Sequence, residues 1–571
     1  VKPVSPSPAS PVKGAKAPGF VFSGLAAALA VLLIAALSPS QPPPPPVAEY
    51  APEAVQALKD APPEQSAENG LTAGSETGND TAGKEQEQEQ ALPGASTTTT
   101  TEKEKLPPNS ERVRRCAPNP DGSLRQTEDP QSPPCVPFWE GDNGGRIGKG
   151  VTENEIRFVI PNGTDDAIQD KLIAYFNRRF EFYGRKLAKQ GAGCFGGTPA
   201  DAQSLAIDVA KNDVFGSLAF CDIKGPTSAY YDELARRGVV SVDMQPSNRV
   251  EKELADFHPY EWSYLPTFDK GSRHLGELAC SLNGGAAEHA GPEYATTPRK
   301  WGLFYNTYKN APSPDLTAIR AAFASCGIEV VEQSVTIAQD GGTGGQGVDQ
   351  ETTTQVQNGL FAMHNADVTS VIALTHTETT KQIYAGLEGQ SYQPEVLVST
   401  YLFNDEDLFI GAQPKGQSAH TYGISVWNKP VRVADEFWYQ AVQEIAPGFD
   451  FPFKPFSYFG ARNVYAGMMM LAAGIQMAGP HLTPESFAAG LQRAKWGNPP
   501  HRNNPGKVTV SPGTHSYIED AAIIWWDPTL ASDEYGTNGG FCYIDHGKRR
   551  RLGGYGKGDP GLFTTACGRY E

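Results

Sequence analysis

From about residue 150 onward, short apolar runs alternate with longer stretches in which apolar residues return every three or four positions, the pattern of strands followed by amphipathic helices. Glu155 to Ile160 reads as a strand closed by the turn Pro161-Asn162-Gly163, and Ile168, Leu172, Tyr175, Phe176 and Phe180 mark one helical face. Thr198-Pro199-Ala200-Asp201 has a capping hydroxyl, a proline at the first helical position and an acidic residue three places on, so it opens a helix through Ala210. Val214 to Phe220 has buried-strand length. Ser228 to Arg237 then puts Tyr231, Leu234 and Ala235 on one face, Gly238 stops that helix, and Val239 to Val242 completes a βαβ unit. After a helix from Thr267 to Leu282 the rhythm restarts. It gives strands at Lys300 to Tyr305, Glu329 to Val335, Val368 to Leu374 and Glu395 to Thr400, with helices begun by Ser313-Pro314, near Glu351 and at Thr377. The alternation predicts an α/β chain with two doubly wound, Rossmann-like lobes and a cleft between them.

The N-terminal quarter has a different pattern. Gly19 to Leu37 is apolar and uncharged over about the length that crosses a bilayer, with Lys2, Lys13 and Lys16 before it. We expect residues 1–37 to hold a transmembrane anchor with a cytoplasmic N-terminus. A cleaved signal peptide competes, but the run is long for one and no convincing small-residue cleavage site follows. Residues 38–115 carry five consecutive prolines, the KEQEQEQ stretch and a threonine tract, with little to bury, and are expected to form a disordered tether. Residues 116–149 read as a lead-in in which a Cys116–Cys135 disulfide could close a loop, and residues 150–571 as the two-lobed domain.

Composition narrows the chemistry. A net charge of -17 argues against a nucleic-acid partner, and Lys548 to Arg551, the one basic run, reads as a solvated turn. The eight cysteines fall as neighbours along the chain: Cys116 and Cys135, Cys194 and Cys221, Cys280 and Cys326, Cys542 and Cys567. None has zinc-ligand spacing, so disulfides in an oxidising compartment are expected, with connectivity open. Gly342 to Gly347 matches G-x-G-x-x-G but lacks the acidic partner on a second strand, and residues 143–149 lack the essentials of a phosphate-binding loop. No nucleophile elbow or H-E-x-x-H occurs. We expect no catalysis, no cofactor and no metal.

In open parallel sheets ligands bind outside the carboxyl ends of strands. That rule selects Asp222, Lys224, Thr227 and Ser228 after one strand, Gln245 and Ser247 after the next, and His376, Thr377 and Tyr401 in the second set, with Tyr458 able to stack from the hinge. Several have a plainer reading: Thr227, Ser228 and Thr377 as helix caps, His376 as a helix-start or surface histidine, Asp222 as a solvated loop residue, Tyr458 as core.

The runs GVTENEIRFVIPNG (150–163), FYGRKL (182–187), TPADAQSLAIDVAKNDVFGSLAF (198–220), DELARRGVVSVD (232–243), KPFSYFGARNVYAGMMMLAAGI (454–475) and DAAIIWWDP (520–528) together resemble the extracellular solute-binding proteins of ABC transporters, in their type 1 periplasmic-binding, branched-chain amino acid binding form. The likeness covers about residues 150 to 550 and rests on order and spacing. It implies a Cys194–Cys221 disulfide and a strand at Arg185 to Gln190, where pattern alone prolongs the preceding helix. It also implies three crossings between lobes, with lobe I about 150–268 and 421–505 and lobe II about 269–420 and 506–571. Asp222 and Ser247 stand where amino-acid binders of that family carry a serine and a threonine for the ligand carboxylate. An amide, polyol or cationic solute therefore fits at least as well as an amino acid. The expected partners are a small polar solute, an ABC permease, and the membrane through the N-terminal segment. A ligand-sensing module of the same fold that signals to a partner is the alternative.

Overall fold

The computed structural model describes residues 114–118, 122–161, 166–194, 198–219, 228–245, 248–309, 312–337, 350–451, 455–493, 510, 513–564 and 566–569. The expected anchor, nearly all of the expected tether, the glycine-rich loop at 342–347 and the segment 220–227 lie outside them. Among the described residues no helix is long and apolar enough to cross a membrane.

A short antiparallel hairpin, β1 (Cys116–Pro118) and β2 (Leu124–Gln126), comes first, with Cys116 bonded to Cys135. The first large sheet contains β3 (Glu155–Val159), β4 (Lys186–Gln190), β5 (Gly216–Ala219), β6 (Val240–Asp243) and β7 (Glu261–Ser263), all parallel, in the spatial order β4-β3-β5-β6-β7. The second is built on β8 (Trp301–Tyr308), β9 (Val330–Ile337), β10 (Ser370–Leu374), β11 (Glu395–Val398) and β12 (Thr421–Ser425), parallel in the order β9-β8-β10-β11-β12. Counted within its own lobe, each sheet runs 2-1-3-4-5, a doubly wound order whose direction reverses between its first and third strands. The second sheet continues with antiparallel β13 (Asp520–Ala531) and β14 (Asn538–Tyr543), and β15 (Arg550–Arg551) pairs with the start of β13.

The strand at β4 follows the family resemblance rather than the bare pattern. The helix Asp166–Arg179 cannot run on into this stretch, because Tyr183 and Gly184 take φ of 57° and 80°, outside any right-handed helix. The Asn177 side chain then fixes the returning strand, donating to the Leu187 carbonyl at 3.1 Å and accepting from its N–H at 2.7 Å. Thr198 caps the helix Pro199–Lys211 as its sequence requires, its hydroxyl accepting from the Asp201 N–H at 3.2 Å.

The helices Phe437–Ile445 and Pro455–Ala478 return to pack on the first lobe, against Asp166–Arg179 and the underside of β5 and β6. Met468, Met469 and Met470 are fully buried, core filling as their setting predicts. A Cβ at Gly467 would lie 2.1 Å from Met244 Sδ and one at Gly474 2.2 Å from the Phe487 ring, so the long helix lies closer to its neighbours than any side chain would allow. Cys280–Cys326 joins the helices Phe268–Leu282 and Thr317–Cys326, and Cys542–Cys567 ties the C-terminal segment to β14. Cys194 is described and exposed, whereas its expected partner Cys221 is not among the described residues.

The chain passes between lobes where β7 leads to the helix Phe268–Leu282, where β12 leads to Phe437–Ile445, and where the helix Pro484–Arg493 leads on to β13. Two of these crossovers are hydrogen-bonded side by side: Ser263 exchanges bonds with His515 and Tyr517 at 2.8 and 2.9 Å, and Ile518 donates to the Tyr264 carbonyl at 3.1 Å. Arg549 secures the third, donating to the carbonyls of Val426 (2.8 Å), Trp427 (2.6 Å) and Asp520 (2.6 Å).

The lead-in is not a surface appendage. Gln126, Glu128, Asp129, Gln131 and Ser132 are all buried. The phenols of Tyr465 and Tyr264 donate to Asp129 Oδ2 (3.0 Å) and Gln131 Oε1 (2.9 Å), and that of Tyr517 to the Gln131 carbonyl (3.3 Å). Desolvation pushes the Asp129 carboxyl up to about 6. A polar loop is buried here because residues more than a hundred positions away supply its hydrogen bonds.

Candidate functional site

The carboxyl ends of the two parallel sheets meet across one amide. After β6, Asp243 takes hydrogen bonds from the Tyr231 phenol (2.9 Å) and the Gln245 N–H (2.9 Å), which turns the chain and buries Gln245. Asn248 follows. Its amide donates to the Tyr308 hydroxyl at 3.1 Å, and its carbonyl oxygen accepts from the Tyr401 hydroxyl. Tyr308 is the last residue of β8, and Tyr401 opens the turn after β11 with its ring edge-to-face on Phe268, the ring centres 5.0 Å apart. One first-lobe residue therefore holds two second-lobe phenols, Tyr308 as acceptor and Tyr401 as donor, and burial raises the pKa of both so that they stay neutral.

The second-lobe mouth is ordered by Asn306, which is fully buried on β8. Its amide donates to the Val335 carbonyl (3.0 Å) and Thr379 Oγ1 (3.1 Å), and its carbonyl oxygen accepts from the His376 N–H (2.6 Å). His376 is the N-cap of the helix Thr377–Gly389, its Nδ1 accepting from the Glu378 N–H at 3.4 Å. His376 is thus a helix-start residue and buried, not a surface one, and the cap expected at Thr377 falls one residue earlier. Thr377 Oγ1 is buried and has no hydrogen-bond partner among the described residues, as is true of Asn404 Oδ1 beside it. The Asn404 amide donates to the Thr375 carbonyl at 2.7 Å, which places both acceptors at the ends of β10 and β11.

A second polar constellation lies against the crossovers. Arg462, on the long helix Pro455–Ala478, forms an ion pair with Glu406 from the other lobe, its guanidinium 4.5 Å from the Trp427 ring centre. Tyr535 donates to Glu406 Oε2 at 2.9 Å and Tyr458 to Glu436 Oε1 at 3.0 Å. Tyr458 is 1% exposed and packs on Trp438 and Tyr535, so it is a core tyrosine. Buried carboxyls here crowd together: desolvation, helped by neighbouring negative charge, pushes Asp405 up to about 7, and desolvation pushes Glu436 up to about 8. The voids beside Arg462 measure about 10 and 30 Å³, room for a water molecule and not for a solute. The described lobes are drawn together.

Of the residues selected from sequence, Gln245, His376, Thr377 and Tyr401 come to the facing sheet ends, and Ser228 starts its helix half-buried. Asp222, Lys224, Thr227 and Ser247 lie outside the described residues. Sequence reasoning missed Asn248, Tyr308 and Arg462. The last had a visible signal, a lone charge within the otherwise apolar FGARNVYAGMMM.

No family model matches the chain, and no curated protein does. Solved structures similar to it are ABC transporter solute-binding proteins. One from Rhodopseudomonas palustris BisB5, in complex with 3,4-dihydroxybenzoic acid, is 14% identical over 68% of this chain and 95% of its own, with a TM-score of 0.46. A fatty acid ABC transporter substrate-binding protein from Thermomonospora curvata is 14% identical over 70% and 94%, with a TM-score of 0.47. A substrate-binding protein from Aeropyrum pernix is 14% identical over 73% and 98%, also at 0.47. At that distance the reading of this chain rests on its own topology and contacts.

Proposed function

We propose that the chain is a solute receptor that captures a small polar molecule between its two lobes and passes it to an ABC permease, without catalysis. The observation that carries this reading is the pair of parallel sheets with the same 2-1-3-4-5 order, joined by hydrogen-bonded crossovers, whose carboxyl ends meet at Asn248, Tyr308 and Tyr401. In this reading a ligand held between the lobes touches both only when they are closed, so its binding energy favours closure.

In this reading Thr377 and Asn404 receive donors from the solute on the second lobe, and Ser228, Gln245 and the loop residues Asp222, Lys224, Thr227 and Ser247 meet it from the first. Acceptors outnumber anion-binding groups among these, which favours an amide, polyol or ammonium solute over a simple carboxylate. The segment 19–37 anchors the receptor on the outer side of the membrane, residues 38–115 give it reach, and Cys194 pairs with Cys221 in that oxidising compartment.

The test is a thermal-shift screen of amides, polyols, amines, amino acids and aromatic acids, followed by calorimetry of any hit on wild type and Thr377→Val. A hit whose affinity falls by a factor of a few to about a hundred in the variant supports the site. No stabilising solute in any class, or a hit that the variant binds equally well, sinks it.

A further inference from the structure

Beside the start of β13, where β15 pairs with it, is a cleft of about 470 Å³ lined by Lys548, Arg549, Arg550, Arg551 and Lys557 and by the glycine-rich turn 554–558. Its acids are already occupied. Asp545 is paired with Arg550 at 3.0 Å, and Asp559 with His289 at 2.5 Å while it also accepts from the N–H groups of Gly561 and Leu562. Arg549 is spent on the crossovers. What remains is Lys548, Arg551 and Lys557, whose side chains have no partner among the described residues, together with the unpaired backbone N–H groups of Gly556 and Lys557. The wall is held in shape from beneath. The Tyr555 hydroxyl meets His274 Nδ1 at 2.9 Å, and the Gly553 and Gly558 N–H groups donate to Glu277 (2.6 Å) and the Ser281 carbonyl (2.7 Å).

In a chain of net charge -17, unneutralised cations gathered around a cleft are a feature that self-repulsion alone would not select, since scattering them would offset more negative surface. A solvated turn, the reading from sequence, would leave no cavity. Successive backbone N–H groups beside a guanidinium and two ammonium groups match a tetrahedral oxyanion, and the volume falls in the range of small-ligand sites. We propose that this cleft binds a phosphate-bearing anion, either a soluble phosphate ester or a phospholipid headgroup, independently of the solute site between the lobes.

The experiment uses the full chain in two arms: titration of inorganic phosphate followed by ³¹P line broadening, and flotation with phosphatidylglycerol-containing vesicles against pure phosphatidylcholine. Binding in the first arm alone marks a soluble anion, and binding to phosphatidylglycerol vesicles marks a headgroup. Either supports the site provided that Arg551→Ala and Lys557→Ala each weaken it about tenfold and Thr377→Val leaves it unchanged. Arg551 and Lys557 are exposed, so both variants should melt as wild type does; if either does not, Lys548→Gln is measured in its place. Absence of binding in both arms, or binding that none of the cation variants weakens, overturns the proposal.

Discussion

The contact most open to test is the amide of Asn248 between two phenols. Replacing it with alanine strands the hydroxyls of Tyr308 and Tyr401, which are 8% and 7% exposed. A buried polar group left without its partner costs about 1 to 3 kcal/mol, whereas Tyr401→Phe leaves unpaired only the carbonyl oxygen of half-buried Asn248, which water can reach, and should cost about 1 kcal/mol. Because the amide and the phenols sit on different lobes, the loss falls on the closed arrangement. A change of about 1.4 kcal/mol shifts the open-to-closed ratio about tenfold. The double mutant should lose less than the sum of the single mutants, with a coupling of about 1 kcal/mol. Denaturant unfolding of the four proteins measures the cycle, and small-angle scattering reads lobe separation. Additive single mutants with a scattering profile identical to wild type would show that the amide does not hold the lobes.

Other expectations follow from burial and covalent links. Glu261 and Glu436 are both pushed up to about 8 by desolvation; the folded chain keeps protons that the unfolded one releases, so stability should fall as pH rises from 6.5 to 8, and Glu436→Gln should flatten that slope in urea melts. His274, lowered to about 4 by burial, acts in the opposite sense, but only below about pH 6.5, outside that window. Closing a loop of 46 residues, the Cys280–Cys326 disulfide should contribute about 4 kcal/mol in the chain-entropy account, read as the loss of stability in a Cys280→Ser, Cys326→Ser double variant. Non-reducing peptide mapping should recover the pairs 116–135, 280–326 and 542–567 together with Cys194 joined to Cys221; a different partner for Cys194 would refute the last.

Much of the architecture was legible because its determinants are local. The run 198–201 specifies its own helix start, and alternation over 300–400 specifies a second doubly wound half. Edge cases needed more. A helical stripe through Phe180 says nothing of the turn at Tyr183 and Gly184, whose backbone bars the helix from continuing and lets Asn177 dock the strand. The candidate site was legible only as strand ends. His376 and Thr377 are neighbours that can each accept a helix-start N–H, and the backbone geometry makes one the cap and leaves the other's hydroxyl without a partner among the described residues. Asn248 and Arg462 matter through partners 56 to 153 positions away, a distance at which no local pattern carries information.

The buried lead-in loop has a mechanical consequence. Asp129 and Gln131 are gripped by Tyr465 on the long helix and by Tyr264 and Tyr517 on two crossover strands. Residues 114–135 are therefore fixed to the domain and do not swivel on it. A covalently closed loop thus bridges the long helix and the crossover strands, so a pull applied at Arg114 would reach the segments that join the two lobes.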